Sequence, residues 1–141
     1  MVHRPDNRRV AGALLIAAIV FAAPGSAQSR SARAGVYTDD QAKRGKAQYV
    51  KSCAACHLDD LSGGDRTPPL VGDMFLSNWA DRTAGDLFDR IRTTMPQNDP
   101  GSLSREACLD ILTYLLQANE YPAGQQALED DAEALRHIAM K

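Results

Sequence analysis

Residues 53–57 read Cys-Ala-Ala-Cys-His, and the rest of the chain is organised around this stretch. Two cysteines three positions apart lie on one side of a helical turn, so both thiols can reach the two vinyl groups of one porphyrin and form thioether bonds. The histidine that follows points to the iron from the same side and becomes its proximal ligand. The motif therefore predicts one covalently bound haem c, held by Cys53, Cys56 and His57.

The same cysteine pair is also compatible in principle with a zinc site or a dithiol redox pair. A structural zinc site takes about four ligands, and Cys108 and His137 are the only cysteine and histidine downstream of the motif. A thioredoxin-like pair lies in a βαβ pattern, whereas the sequence shows no run of alternating β-branched residues. Haem attachment therefore fits the motif better than either alternative.

Length and charge restrict the class of protein further. A chain of 141 residues suits one domain, and with only 6% aromatic residues its core would gain from a large apolar cofactor. Residues 1–27 carry three of the 16 Lys and Arg and one of the 18 Asp and Glu, so the remainder has a formal net charge of −4. No basic stripe is present, which argues against nucleic acid or an anionic membrane as partner.

The first 27 residues have the pattern of an export signal. Three arginines among the first nine residues precede an apolar run over 10–23, and residues 25–27 are small enough for cleavage. The run is too short to span a bilayer comfortably. We expect a signal peptide over 1–27 that is cleaved, so that the mature chain is periplasmic and has no membrane span. Retention of this segment as an anchor is the alternative.

The rest of the chain predicts helices and no strand. Residues 28–36 are small and polar and predict a flexible lead-in, 37–121 form the helical domain, and 122–141 form a tail that is helical in part. Thr38, Thr83 and Ser104 are suited to cap helices that run to about Lys51, Thr94 and Asn119, and Thr38 with Gln41 predicts a capping box. A shorter helix is expected over 73–80.

One face of the first helix carries a small residue where a crossing helix can approach. Ala42, Gly45 and Tyr49 recur at helical spacing. A glycine on such a face permits two helix backbones to come close together. The last long helix presents the apolar stripe of Cys108, Ile111 and Leu115, so Cys108 is interpreted as a small buried core residue.

The order of these features resembles the class I monohaem cytochromes c over about residues 36–120. The shared features are a helix, C-x-x-C-H, a proline-rich loop, short helices, a Met-Pro pair at 95–96 and a C-terminal helix. The resemblance implies an all-α cytochrome c fold, in which the first and last helices cross around the haem.

The resemblance also implies roles for residues outside the motif. In Thr-Pro-Pro-Leu-Val-Gly (67–72), Pro68 matches a proline whose carbonyl accepts the proton of the haem histidine, and Leu70 matches an apolar residue against the porphyrin. Such a carbonyl contact fixes the histidine tautomer and raises its basicity as a ligand. Trp79 matches an indole that bonds a haem propionate, which suits its N–H donor.

Met95 is the predicted sixth ligand of the iron. Pro96 disfavours helix at Met95 and pushes it into an extended conformation at a helix end, and the cytochromes c place their axial methionine in this Thr-Met-Pro context. Met74 is interpreted as core, whereas Met140 is close to the terminus, where ordering it is costly. His137 is expected in solvent and is the remaining alternative ligand.

Four short strings narrow the resemblance. They are Asp-Leu-Ser-Gly-Gly (60–64), Pro-Pro-Leu-Val-Gly (68–72), Phe-Leu-Ser-Asn-Trp (75–79) and Ile-Arg-Thr-Thr-Met-Pro-Gln (91–97). They look similar to the small cytochromes that accompany pyrroloquinoline-quinone alcohol dehydrogenases. This likeness implies a non-enzymatic electron carrier between a quinoprotein dehydrogenase and a downstream cytochrome or terminal oxidase. The alternatives are a haem enzyme or gas sensor with an open sixth position, and a permanent subunit of a dehydrogenase complex.

Overall fold

The computed structural model describes Met1 and residues 29–141, so the predicted signal peptide lies outside the described residues except for Met1. Within 29–141 the chain forms six α-helices: α1 (Asp39–Ser52), α2 (Ala54–His57), α3 (Gly72–Trp79), α4 (Ala84–Thr94), α5 (Arg105–Ala118) and α6 (Ala132–Arg136). The predicted all-α class is confirmed. None of these helices is both long and apolar enough to cross a membrane.

The three long helices begin where their caps were predicted. The side-chain oxygens of Thr38, Thr83 and Ser104 each accept a backbone N–H three residues later, which satisfies a donor that has no partner within the helix. The capping box at Thr38, however, was wrong. Gln41 turns its carboxamide away to the tail, where it bonds both backbone groups of Leu128. The complete box occurs at the start of α4 instead.

Helices α1 and α5 cross in close contact at Gly45. A β-carbon built on Gly45 would lie 1.8 Å from the carbonyl oxygen of Asp110, so a side chain cannot fit there. The rings of Tyr49 and Tyr114 pack beside this point with centroids 5.3 Å apart. The Arg44 guanidinium binds the buried Asp110 carboxylate with two hydrogen bonds of 2.9 Å. The crossing of the first and last long helices therefore occurs as the sequence predicted.

A short parallel strand pair is present, contrary to the prediction of no strand. Strand β1 (Arg30–Ser31) pairs with strand β2 (Ile138–Ala139), and a turn of 3-10 helix over Ala32–Ala34 follows β1. Each strand has only two residues, too few to show a period of two in the sequence. The pairing joins segments from opposite ends of the described chain, which local patterns do not report.

A flexible lead-in was expected over 28–36, and the structure differs from this expectation over 29–36, since residue 28 lies outside the described residues. Ala32 and Val36 are buried in the core, and the Arg30 N–H donates to the carbonyl of His137 at 2.8 Å. The tail is helical only over α6, and it docks on the body of the domain. Its apolar side chains Leu128, Leu135, Ile138 and Met140 are buried. The lead-in and the tail pack against each other. The sequence of either segment alone therefore does not predict that it is ordered.

Candidate haem site

The Cys-Ala-Ala-Cys-His motif occupies one helical turn at the end of α1. Cys53 is the C-cap of α1, and its N–H donates the last bond of that helix to the carbonyl of Tyr49. The N–H groups of Cys56 and His57 donate to the carbonyl of Cys53 at 3.1 and 2.9 Å. This turn places both cysteines and the histidine along the same wall. Cys53 and Cys56 form no disulfide, so both sulfurs are available for thioether bonds.

The His57 ring is buried and is oriented by the proline-rich loop. Its Nδ1 lies 3.0 Å from the Pro68 carbonyl oxygen. A carbonyl only accepts hydrogen bonds, so Nδ1 carries the proton and Nε2 keeps the lone pair that binds iron. The loop reaches this position because Gly63, at φ +69°, lets the chain near Thr67 and Pro68 approach closely. The contact is the one that the resemblance implied for Pro68.

A cavity of about 1180 Å³ adjoins the motif. This volume exceeds the roughly 300–1,000 Å³ that is usual for small-molecule sites, so the cavity has room for a large planar group such as a porphyrin. All seven residues that the sequence singled out line this cavity: Cys53, Cys56, His57, Pro68, Leu70, Trp79 and Met95. Two free thiols, an oriented imidazole, a thioether and apolar walls fit the chemistry of haem c.

The residues that the sequence analysis missed complete the walls. The apolar ones come from α3, α4 and α5: Phe75, Leu87, Ile91, Ile111 and Leu115. Their helical spacing predicts a buried face but does not distinguish a core from a cofactor wall. The charged ones are Lys51, Arg66, Arg82, Arg90 and Asp99. No spacing in the sequence points to these charges, because they come from separate elements.

Met95 is well placed among the three methionines of residues 29–141. It caps the C-terminus of α4 in the extended conformation that Pro96 predicted, with φ −121° and ψ 148°, and it lines the cavity. Met74 and Met140 do not. Met140 is 2% exposed and packs in the core. The burial of its side chain offsets the entropy lost when the terminus is ordered.

Met74 is not a core residue, contrary to its sequence interpretation. Its exposure is 59%, whereas its neighbour Phe75 is buried. Successive residues of a helix point about 100° apart, and α3 turns Phe75 rather than Met74 to the core. His137 also lies away from the cavity lining, where its Nε2 is 3.1 Å from a Glu133 carboxylate oxygen. Cys108 is fully buried, as expected.

Burial raises the pKa of the Cys53 thiol to about 11, with smaller contributions from Cys108 and Cys56. The thiolate is the reactive form of cysteine. Burial therefore favours the thiol over the thiolate of Cys53 in the folded chain.

Comparison with known proteins identifies the family. The chain is similar to the crystal structure of the sulfane dehydrogenase SoxCD from Paracoccus pantotrophus, with a TM-score of 0.49 and 24% sequence identity over 70% of this chain and 52% of that chain. It thus spans about half of that chain's length. No curated protein matches. Residues 40–115, more than half of the chain, match the family model described as cytochrome c oxidase, cbb3-type, subunit III. The chain therefore belongs to this family of c-type cytochromes and binds haem c covalently for electron transfer.

Proposed function

We propose that this cytochrome is a periplasmic one-electron carrier whose haem iron is held by His57 and Met95. The observation that carries the proposal is the cavity that Cys53, Cys56, His57 and Met95 line together. When bound, the haem supplies an iron that cycles between the ferric and ferrous states. A carrier needs both axial positions filled, since electrons then move with little rearrangement and small ligands are excluded.

The protein residues hold and tune the cofactor. Thioether bonds from Cys53 and Cys56 keep it in place in both oxidation states. The Pro68 carbonyl orients the His57 ring and makes it a stronger ligand. Met95 supplies a neutral thioether, which favours the ferrous state and raises the potential. The apolar walls exclude water from the cavity, which also raises the potential.

Covalent attachment is tested by a haem stain after denaturing electrophoresis. The wild-type chain should retain haem, and the double variant Cys53→Ser/Cys56→Ser should not. Cys108→Ser is the matched control, because Cys108 does not line the cavity and its replacement should leave the stain intact. Haem that is extracted from the wild type by acidified acetone would contradict covalent binding.

The sixth ligand separates a carrier from a haem enzyme or gas sensor with an open position. Met95→Ala should remove the weak long-wavelength ferric band of sulfur–iron ligation, lower the midpoint potential and let carbon monoxide bind the ferrous protein. Met74→Ala is the control, since Met74 is exposed and should change none of these. Rapid carbon monoxide binding by the wild type would favour the enzyme or sensor.

The export proposal rests on the first 27 residues. Protein recovered from the periplasm should begin near Gln28, as mass spectrometry of its N-terminus would report. A chain that keeps Met1 and is found in the membrane fraction would support the anchored alternative.

The partner proposal rests on the four short strings that look similar to the small cytochromes of quinoprotein alcohol dehydrogenases. A quinoprotein alcohol dehydrogenase supplied with alcohol should reduce the cytochrome at the rate of its own turnover. The family description names an oxidase, which supports a terminal oxidase as the electron acceptor. Slow reduction by the dehydrogenase but fast reduction by other donors would contradict only the choice of donor. Co-purification in a fixed ratio with a dehydrogenase would favour the permanent subunit.

A further inference from the structure

Asn119 caps the C-terminal end of α5 and turns a buried carboxamide toward the proline-rich loop. The residue is 5% exposed. Its Nδ2 donates to the carbonyls of Leu70 at 2.8 Å and Leu115 at 2.9 Å, and its Oδ1 accepts the Gly72 N–H at 3.1 Å. A carboxamide nitrogen has two hydrogens, so both are bonded here. Asn119 therefore joins α5 to residues that lie 49 and 47 positions earlier in the chain.

The bonds from Asn119 hold the end of the proline-rich loop, which covers residues 58–71 between α2 and α3. Leu70 is bonded through both of its backbone groups, because its N–H donates to the Leu61 carbonyl at 2.8 Å. Leu61 belongs to the same loop, so that bond shapes the loop internally. Gly72 begins α3, where an N–H has no partner within the helix. Asn119 comes from α5, so its bonds to Leu70 and Gly72 fix the loop against the body of the domain.

The segment between Leu70 and the Pro68 carbonyl is stiff. Peptide units are planar, and the ring of Pro69 fixes its φ angle. The ψ angle of Pro69 is therefore the single soft dihedral between the plane of the Pro68 carbonyl and the plane that contains the Leu70 N–H. A clamp on Leu70 thus restricts where the Pro68 carbonyl points, and the oxygen of that carbonyl lies 3.0 Å from Nδ1 of His57.

We propose that Asn119 is a positioning residue for the haem histidine. Its carboxamide holds Leu70, and the stiff segment passes this restraint to the Pro68 carbonyl that accepts the His57 proton. The inference rests on the haem binding described above and names a further residue for it. Asn119 does not line the cavity, so it acts through the loop and without contact to the cofactor. A fixed acceptor keeps the imidazole in one orientation, with Nε2 directed to the iron.

The test is the rate at which the His57 Nδ1 proton exchanges with solvent deuterium in the ferrous, haem-bound protein. Nuclear magnetic resonance follows this proton, because low-spin ferrous iron with both axial positions filled is diamagnetic. In Asn119→Leu the loop loses its bonds to α5, so the Pro68 carbonyl should separate from the imidazole more often. The proton should then exchange about tenfold faster or more. Its resonance should also move upfield, since a weaker hydrogen bond deshields the proton less.

Thr113→Val is the matched control. Thr113 lies on the same helix, is fully buried, and donates its hydroxyl to the Asp110 carbonyl at 2.8 Å. Its replacement removes a buried hydrogen bond that does not involve the proline-rich loop. Urea unfolding of each variant gives the share of exchange that passes through global unfolding. Once that share is subtracted, the control should exchange at the wild-type rate. If Asn119→Leu does not retain its haem, the smaller Asn119→Ser takes the same measurement.

A second variant tests the stiff segment itself. Pro69→Ala leaves the Asn119 carboxamide in place but frees the φ angle at position 69, so the restraint on the Pro68 carbonyl is lost. This variant should also exchange the His57 proton faster than the wild type. In the Pro69→Ala background Asn119→Leu should accelerate the exchange by a smaller factor than it does alone, because the two residues act through one path.

Three results would overturn the proposal. They are a wild-type exchange rate in Asn119→Leu, an equal acceleration in Thr113→Val after the subtraction, and independent effects of Asn119→Leu and Pro69→Ala. Loss of the haem stain in the wild type would instead contradict haem binding. A high-spin ferrous spectrum in the wild type would contradict Met95 as ligand, and the diamagnetic carbon monoxide adduct would then serve for the same measurement. The failures are therefore distinguishable.

Discussion

At Gly45 a hydrogen stands where other residues carry a side chain, and this allows the backbones of α1 and α5 to touch. The nearest obstacle to a β-carbon is the Asp110 carbonyl oxygen, which belongs to the helix backbone and cannot rotate away. The two helices would have to separate along their whole contact to admit a methyl group.

We therefore expect Gly45→Ala to lower the free energy of unfolding by about 3 kcal/mol or more, as overpacking of a rigid contact does. Gly64→Ala is the control, because a β-carbon there meets no atom within 4 Å, and it should change stability by less than about 0.5 kcal/mol. Urea unfolding of both haem-loaded variants measures the difference. Equal stability would show that the helices separate at little cost.

Tyr37 links the stability of the domain to alkaline pH. Its side chain is buried, and its hydroxyl donates to the Tyr121 carbonyl at 2.6 Å. Burial, with a smaller contribution from Asp39, raises the pKa of Tyr37 from 10.0 to about 12. The folded chain thus keeps the proton that the unfolded chain releases near pH 10. The stabilisation is complete below pH 10 and is lost as the pH rises to 12.

The loss of stability from Tyr37 between pH 10 and 12 should reach about 2–3 kcal/mol. Tyr37→Phe removes this contribution together with the hydrogen bond, so at pH 8 the variant should be less stable by about 1 kcal/mol. Because only the wild type loses stability through this group, the gap between the two proteins should close and then reverse sign as the pH rises from 10 to 12. Unfolding free energies measured in steps across this range test it, and a constant gap would contradict the raised pKa.

At the scale of elements, α1 holds the tail through one side chain. Gln41 is 3% exposed, and its carboxamide donates to the Leu128 carbonyl at 2.9 Å and accepts the Leu128 N–H at 2.8 Å. The carboxamide thus gives the backbone of Leu128 the two hydrogen bonds that a neighbouring strand would otherwise supply. A residue of similar shape without polar atoms would leave both backbone groups unpaired.

Gln41→Met should therefore lower the free energy of unfolding by about 1–3 kcal/mol, the penalty for leaving buried polar groups without partners. Gln48→Met, farther along α1, is the control and should have an effect below about 0.5 kcal/mol. Limited proteolysis should cut the tail of the Gln41 variant sooner than that of the wild type. Equal cleavage rates would mean that the apolar contacts of the tail suffice to hold it.

For the whole molecule, the haem is part of the core. A cavity of about 1180 Å³ between α2, α3, α4 and α5 is too large for the surrounding side chains to fill, and a group bound only in the folded state stabilises that state. The chain without haem should therefore unfold far more easily than the haem-bound chain.

Urea unfolding of the haem-free Cys53→Ser/Cys56→Ser chain should show a much lower midpoint than the haem-loaded wild type. The loss should amount to several kcal/mol, because the cavity forfeits both cofactor contacts and apolar burial. Cys108→Ser is the control, because it also replaces a cysteine by serine but keeps its haem. It shows how much of the loss comes from the substitution of a cysteine rather than from the absence of haem. Matching midpoints for the haem-free and haem-bound chains would show that the cavity is stable when empty.

The sequence by itself determined the features that depend on neighbours in the chain. Covalent attachment requires only the spacing of Cys53, Cys56 and His57, and the helix starts require only a capping side chain three residues before a free N–H. Pro96 restricts Met95 through a clash between adjacent residues, so its extended conformation was also predictable. Gly45 was readable because one helix face repeats every three or four residues.

Only the tertiary structure decided the features that join distant segments. The lead-in and tail have little order in their local patterns, yet β1 and β2 supply each other's hydrogen bonds. The Gln41 side chain does not complete the predicted capping box with Thr38, because it forms two hydrogen bonds with the backbone of Leu128 instead. The Asn119 carboxamide binds the backbone of Leu70 at the end of the proline-rich loop. In each case a contact between residues distant in the sequence is present where local patterns indicated none or a different one. Such a contact stabilises the chain only once folding has brought the two segments together, so the sequence pattern does not report it.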